Sequence, residues 1–186
     1  LKATRTRTLG AIPLKSAPAS SLSEEEATAL VAEYLAARGL GDLGWGKEAS
    51  SLRERMRVLH EVLGDPWPNV SDEALAGSAP QWLAPWAKRL AQGGSLSNVS
   101  MLDALRSMLP WPQAARLDEL APEKMPIPSG GTRPIDWSGA HPVLTLRVQQ
   151  AFGWTDTPRL VDGRVPLVLH LTDPAGRPAA VTSDLT

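Results

Sequence analysis

Apolar residues recur at three- and four-residue intervals between Ala27 and Leu120, and at two-residue intervals over much of the chain after Pro122. The first spacing is that of an α-helix with one buried face; the second is that of a half-buried strand. Ser23 and Glu26 form a capping box, and Ala27, Leu30, Val31, Tyr34 and Leu35 follow on one helical face until Gly39 stops it. A second helix is predicted from about Lys47 to Leu63, with Ala49, Leu52, Met56, Leu59 and Leu63 as its buried stripe and Gly64-Asp65-Pro66 as its end. Ser71 caps a short third helix. Residues 80–91 place Trp82, Leu83, Trp86 and Leu90 on one face, with Pro85 expected to break or kink the helix. Ser100 caps a helix carrying Leu102, Leu105, Met108 and Leu109, and Pro110-Trp111-Pro112 turns the chain into a last short helix, Gln113 to Leu120.

Residues 4–14 alternate Thr and Arg before Leu9, Ile12 and Leu14, which predicts an extended segment; 16–22 reads as a linker. Past Pro122, Met125, Ile127, Ile135 and Trp137 alternate around a Gly-Gly pair, as two short strands joined by a turn would. Pro142 opens a predicted helix through about Phe152, with Val143, Leu144, Val148 and Ala151 inward. Asp162-Gly163 is a tight-turn pair, and from Arg164 to Leu171 the chain sets Val165, Leu167, Leu169 and Leu171 against Pro166, Val168 and His170. Pro166 marks an edge. After a turn at 172–177 the strand 178–185 returns.

The expected fold is therefore α+β: a helical block of five or six short helices over 23–121, then a small mixed β region with one helix over 122–186. Residues 1–22 form a terminal strand and linker. The Pro-rich stretch at 122–131 is the expected boundary, if the two parts are separate. The chain opens at Leu1 and stops at Thr186 inside strand-like sequence, so both ends are expected to be cuts in a longer protein.

Composition removes several classes of function. A chain of 186 residues with 42% apolar content can bury a core. Cysteine is absent, which rules out disulfides, thiolate metal sites and a cysteine nucleophile. No apolar run approaches the roughly 20 residues of a membrane span. A formal net charge of −1 announces neither a polybasic nor an acidic protein. There is no P-loop, no dinucleotide fingerprint and no nucleophile elbow. His60, His141 and His170 are scattered, so neither a metal site nor a catalytic triad can be drawn from spacing.

What remains is local charge and aromatic content. Glu24, Glu25 and Glu26 sit where carboxylates offset a helix dipole. Arg53, Arg57 and His60, interleaved with Glu54 and Glu61, read as a salt-bridged helix face. The seven Trp residues read chiefly as core and subcore packing. Base stacking is the alternative, with Arg133 near Trp137 and Arg159 near Trp154. Residues 1–15 carry Lys2, Arg5, Arg7 and Lys15 and no acid. Arg5, Arg7, Arg133, Arg147, Gln150 and Arg164 are the candidates for contact with nucleic acid or a partner; catalytic and metal-ligating candidates are none.

Several stretches resemble one family in its own order. These are RTRTLGAIPL (5–14), WPNVSDEAL (67–75), WLAPW (82–86), LPWPQAARLDELAPEKMPIPSG (109–130) and PVLTLRVQQAFGWTDTPRLVDGRVPLVLHLTDPAGRPAAVTSDL (142–185). They resemble the C-terminal region of the HrpB family of bacterial ATP-dependent helicases of the DEAH-box type. The resemblance implies a parent whose upstream motor domains bind ATP and magnesium, while this chain holds no cofactor and no catalytic residue of the family. It implies a segment following an oligonucleotide-binding fold, with an aromatic and basic tail beyond Leu185. It implies an accessory domain of a cytoplasmic helicase that packs on the motor domains of its own chain, contacts single-stranded RNA, or both. The alternative is a protein-interaction module without nucleic-acid contact, which predicts an exposed apolar patch around Trp82, Trp86 or Trp111. Oligomeric state is left open.

Overall fold

The computed structural model describes residues 4–9, 12–18 and 22–183, with side chains from residue 22 onward. Two strands, β1 (Thr4–Leu9) and β2 (Ile12–Pro18), pair antiparallel from Thr4 opposite Pro18 to Leu9 opposite Ile12. The expected linker therefore begins later than 16, because Lys15, Ser16 and Ala17 complete the ladder to Arg7, Thr6 and Arg5.

The chain divides into two compact units, Leu1–Ser50 with Asn69–Met108, and Ser51–Pro68 with Leu109–Thr186. The change from helix to strand at Pro122 is thus a change of secondary structure inside the second unit.

In the first unit, α1 (Glu24–Arg38) begins with the predicted capping box: Glu26 N–H donates to Ser23 Oγ at 3.1 Å, and Ser23 N–H to Glu26 Oε2 at 3.0 Å. Ala27, Val31 and Leu35 are fully buried along its inner stripe. It packs against α3 (Asp72–Gly77), α4 (Ala79–Trp82) and α5 (Ala84–Ala91). The interruption expected from Pro85 falls at Leu83, and Pro85 itself occupies the first turn of α5, where its missing N–H costs nothing. Trp82 is buried and its Nε1–H donates to the Leu75 carbonyl at 3.0 Å. α6 (Met101–Met108) starts at Ser100, whose Oγ accepts from Asp103 N–H. Before it, Gly44 N–H donates to Val99 O at 3.2 Å, and a Cβ at Gly44 would stand 2.5 Å from that carbonyl oxygen and 2.7 Å from Ser97 O.

Helix α2 spans Lys47–Leu63 as predicted, and Ala49, Leu52, Met56 and Leu59 form its buried stripe. Residues from 51 onward belong to the second unit. There, Val58 and Leu59 join a core with Trp67, Leu120, Trp137, Leu144, Leu167 and Leu169. α7 (Trp111–Leu120) starts two residues before expectation, since Pro112 is accommodated in its first turn.

The sheet has five strands in the order β3-β4-β5-β8-β9: β3 (Lys124–Pro126), β4 (Thr132–Asp136), β5 (Val143–Arg147), β8 (Val168–Thr172) and β9 (Pro178–Thr182). Between β5 and β8 lie β6 (Arg159–Leu160) and β7 (Val165–Pro166), a small hairpin. Its turn holds Val161, Asp162 and Gly163 at φ of 54°, 53° and 77°. The predicted β3–β4 hairpin forms; the strand read from Arg164 to Leu171 divides at Leu167 into β7 and β8, and its return is described as β9 to Thr182, the expected end at Leu185 lying outside the described residues.

The helix expected from Pro142 to Phe152 does not form. Residues 143–147 are a strand paired parallel to β8, from Val143 opposite Val168 to Arg147 opposite Thr172, and only Val148–Gln150 make a single 3-10 turn. Leu144 and Leu146 are buried, whereas Thr145 and Arg147 are exposed, a period of two. A helix here would leave the β8 ladder groups of a buried strand unpaired on this side, and tertiary pairing overrides the helical reading.

Arg55 is the buried polar anchor of the second unit. It is 2% exposed, and its guanidinium donates to the Ala121 carbonyl, to Asp118, and to Glu123 Oε1 at 3.2 Å. This bond set ties α2 to the end of α7 and the start of the sheet.

Three stability predictions follow from these contacts. Arg55→Met leaves the buried Ala121 carbonyl without its donor and should cost about 3 kcal/mol in denaturant unfolding. Asp118→Asn, at an acid whose side chain is 86% exposed, should cost under about 1 kcal/mol. Gly44→Ala forces a methyl onto two backbone carbonyls and should cost roughly 1–3 kcal/mol, read as a lowered melting temperature.

Candidate nucleic-acid interface

Parallel pairing of β5 with β8 puts their carboxyl ends side by side, so Arg147 and Thr172 stand in register. β4 runs the opposite way beside β5, with Ile135 opposite Leu144. Arg133 precedes Ile135 by two residues, which places it toward the same end as Arg147. The 3-10 turn holds Gln150 there too: its Oε1 accepts the Arg147 N–H at 3.1 Å. Arg177, in the turn between Thr172 and Pro178, completes the group, with its Nε 3.6 Å from Asp173 Oδ2.

The arginines of this unit fall into two sets. Arg55 is engaged as described. Arg57 donates to Glu54 at 2.8 Å, to Glu61 at 2.9 Å, and to the Trp137 and Gly139 carbonyls at 3.2 and 2.8 Å. Arg116 pairs with Asp162 at 3.2 Å and with Glu119 at 3.5 Å, and these hydrogen bonds, Asp162 first, hold its proton more firmly than usual. Arg159 donates to the Gly163 carbonyl at 2.6 Å within its own turn. Arg133, Arg147 and Arg164 are exposed and have no side-chain hydrogen bond or ion pair among the described residues.

The register sets Arg133, Arg147 and Gln150 toward one end of the sheet, Arg133 on the face of Ile135 and Arg147 on the face away from Leu144 and Leu146, and leaves Arg164 apart. β7 feeds the amino end of β8, where Val168 N–H donates to Pro142 O at 2.9 Å, so Arg164 lies at the opposite end of the parallel pair. Arg5 and Arg7 are on β1, and their side chains fall outside the described residues. Arg177 is not among the contact candidates named from the sequence; the register of the β8–β9 turn places it beside Asp173.

One acid of the sheet lies at the far end. Asp136 stands opposite Val143, at the amino end of β5. Hydrogen bonds from the Ser138 hydroxyl, at 2.6 Å, and its backbone N–H, at 2.9 Å, hold this carboxyl below its ordinary value.

No arrangement for acid–base or metal chemistry accompanies this group. Among the described residues, no cluster of His, Cys, Asp and Glu could hold a metal ion. In the first unit a shallow groove of about 400 Å³ is lined by Gly44, Gly46, Lys47, Glu48, Ala49, Ser100 and Leu102. It holds one cation and one anion, both exposed, and Ser100 Oγ is engaged in capping α6. His60 Nδ1 lies 2.7 Å from the Trp67 carbonyl and serves the turn after α2. No described helix is long and apolar enough to cross a membrane.

The Trp residues divide as well. Trp67, Trp82 and Trp137 are buried, and Trp137 Nε1–H donates to Pro122 O at 3.0 Å. Trp86 is half-buried, so no apolar patch centres on Trp82 and Trp86. Trp111 stands apart at 81% exposure.

Comparison with known proteins agrees with this architecture. A family described as ATP-dependent helicase C-terminal matches residues 82–186. The chain is 34% identical over 188 residues to the ATP-dependent RNA helicase HrpB of Escherichia coli strain K12, covering 100% of this chain and 23% of that protein. Its fold is similar to a crystal structure of the E. coli DExH-box NTPase HrpB, with a TM-score of 0.77 and 33% identity over 98% of this chain and 23% of that one. A crystal structure of the Escherichia coli DEAH/RHA helicase HrpB gives a TM-score of 0.75 and 32% identity, over the same shares. The chain thus spans less than a quarter of the length of these relatives. The order of elements, the whole-chain identity and the family match together show that this chain belongs to the HrpB helicase family and corresponds to its C-terminal region.

Proposed function

We propose that this chain is a non-catalytic accessory domain of an ATP-dependent RNA helicase, and that it contacts nucleic acid with the carboxyl end of its sheet. The observation that carries the reading is the sorting of arginines. Structural arginines of the second unit are engaged by acids or carbonyls, whereas Arg133 and Arg147 are exposed and have no side-chain partner among the described residues at one end, with Gln150 closing the 3-10 turn there. An unpaired guanidinium offers a fork of donors that matches phosphate oxygens. Asp173, the acid of the adjoining turn, is already paired with Arg177.

On this reading the motor domains of the parent chain supply ATP binding, magnesium and turnover, and the compartment is the cytoplasm. The domain contributes track, not chemistry: its cations hold a strand while the motor moves it. A second reading has the domain docked on those motor domains without touching nucleic acid. Trp111 favours it, because an indole 81% exposed at the start of α7 is a natural anchor for a protein surface.

Single-stranded RNA binding across a salt series separates the two. The proposal expects affinity to fall steeply with salt, because bound phosphates release counterions. Arg133→Ala and Arg147→Ala should each weaken binding across all sequences and lower the salt slope by about 1. Arg164→Ala, at the other end, should leave both unchanged. Binding that ignores salt, or that responds to Arg164 and not to Arg133 and Arg147, would move the function to protein docking.

A further inference from the structure

We propose that Phe152 is a base-stacking platform, which makes the ligand a single strand with unpaired bases. This rests on the nucleic-acid reading above and adds to it a residue that the sequence pattern had placed at the end of a helix.

Phe152 is the chain's one Phe, and it is 69% exposed. It is nonetheless held from both sides. Ala151 before it is 8% exposed and belongs to the core, and its N–H closes the 3-10 turn on Val148 O at 3.1 Å. Gly153 after it has φ 111° and lies against the turn between β3 and β4: a Cβ there would come within 3.1 Å of Pro128 Cβ. Trp154 N–H then returns to Ala151 O at 3.2 Å. The ring is therefore displayed outward by a fixed corner. A side chain of this size in a loop so constrained could have turned inward; here it faces solvent.

Its surroundings suit a base. The corner follows directly on Arg147 and Gln150, and its other wall is the β3–β4 turn, which leads into Arg133. An exposed aromatic at the sheet end that also carries exposed cations is an arrangement that binds single strands, the ring taking a base and the cations the backbone. A duplex would not serve, because its bases already stack on one another and offer the ring no free face. Trp111, the more exposed aromatic, lacks this setting: the first cation along its helix is Arg116, which Asp162 and Glu119 engage.

The test is fluorescence anisotropy of the 186-residue chain with fluorescein-labelled oligouridylate and with an abasic strand of the same length. Wild type should prefer oligouridylate about tenfold. Phe152→Ala should lose about that factor for oligouridylate and none for the abasic strand, and Phe152→Trp should keep the preference. Equal binding of oligouridylate by wild type and Phe152→Ala would overturn the stacking role while leaving the arginine contacts standing. Failure of wild type to bind either strand would overturn both.

Discussion

The parallel pairing of β5 with β8 is the constraint on which the second unit is built. Parallel neighbours cannot be joined by a tight turn, so the chain must cross from one end of the pair to the other. It does so through residues 148–167, which make the 3-10 turn, the Phe152 corner and the β6–β7 hairpin before β8 begins. Every feature of the proposed interface follows from that crossing. The carboxyl ends of β5 and β8 come together, the antiparallel β4 delivers Arg133 to the same end, and the β8–β9 turn adds Arg177. Leu144, Leu146, Leu167 and Leu169, all buried, hold the pair against α2 and α7.

Arg55 performs the complementary task. Helix α7 must hand over to strand β3 within three residues, and the carbonyls of that junction need donors. A guanidinium buried to 2% exposure supplies one to Ala121 O, with two acids neutralising it from the solvent side. Trp137 Nε1 supplies another to Pro122 O. The junction is therefore satisfied by side chains from α2 and from the end of β4, which is why residues 51–68 fold with the sheet despite lying far from it in sequence.

The helical part was legible because its signals are local. Ser23 with Glu26, Ser71 and Ser100 each act within one turn where the pattern placed them, and Pro85 acts within one turn too, opening α5 just after the break at Leu83. Residues 142–152 were not, because Val143, Leu144, Val148 and Ala151 satisfy a helical face as well as a strand followed by a turn. What decides between them is the partner strand 25 residues later, and no local period encodes a partner. Arg55 was missed for a different reason. Its spacing, three residues after Leu52 and four before Leu59, puts it on the buried face and Arg57 away from it, but a charged side chain on a helix rich in Glu and Arg reads as solvent-facing. Of the contact candidates, Arg133, Arg147 and Gln150 share one end of the sheet only because the register puts them there. Arg164 separates from them for the same cause, although all four look alike in sequence.

The two readings of this domain differ in what an exposed aromatic is for. A docking anchor gains by desolvating an apolar surface, and cations beside it must then be paired by the partner or pay the cost of burial. A stacking platform leaves its cations at the edge, where phosphates meet them and bulk solvent still reaches both. Phe152 lies at the sheet end where Arg133 and Arg147 are exposed without a side-chain partner among the described residues, whereas the first cation along the helix of Trp111, Arg116, is engaged by Asp162 and Glu119. The same molecule therefore offers one aromatic of each kind. Docking through α7 and strand contact through the sheet end are compatible, and a helicase domain that holds its motor with one surface and its track with another would use both.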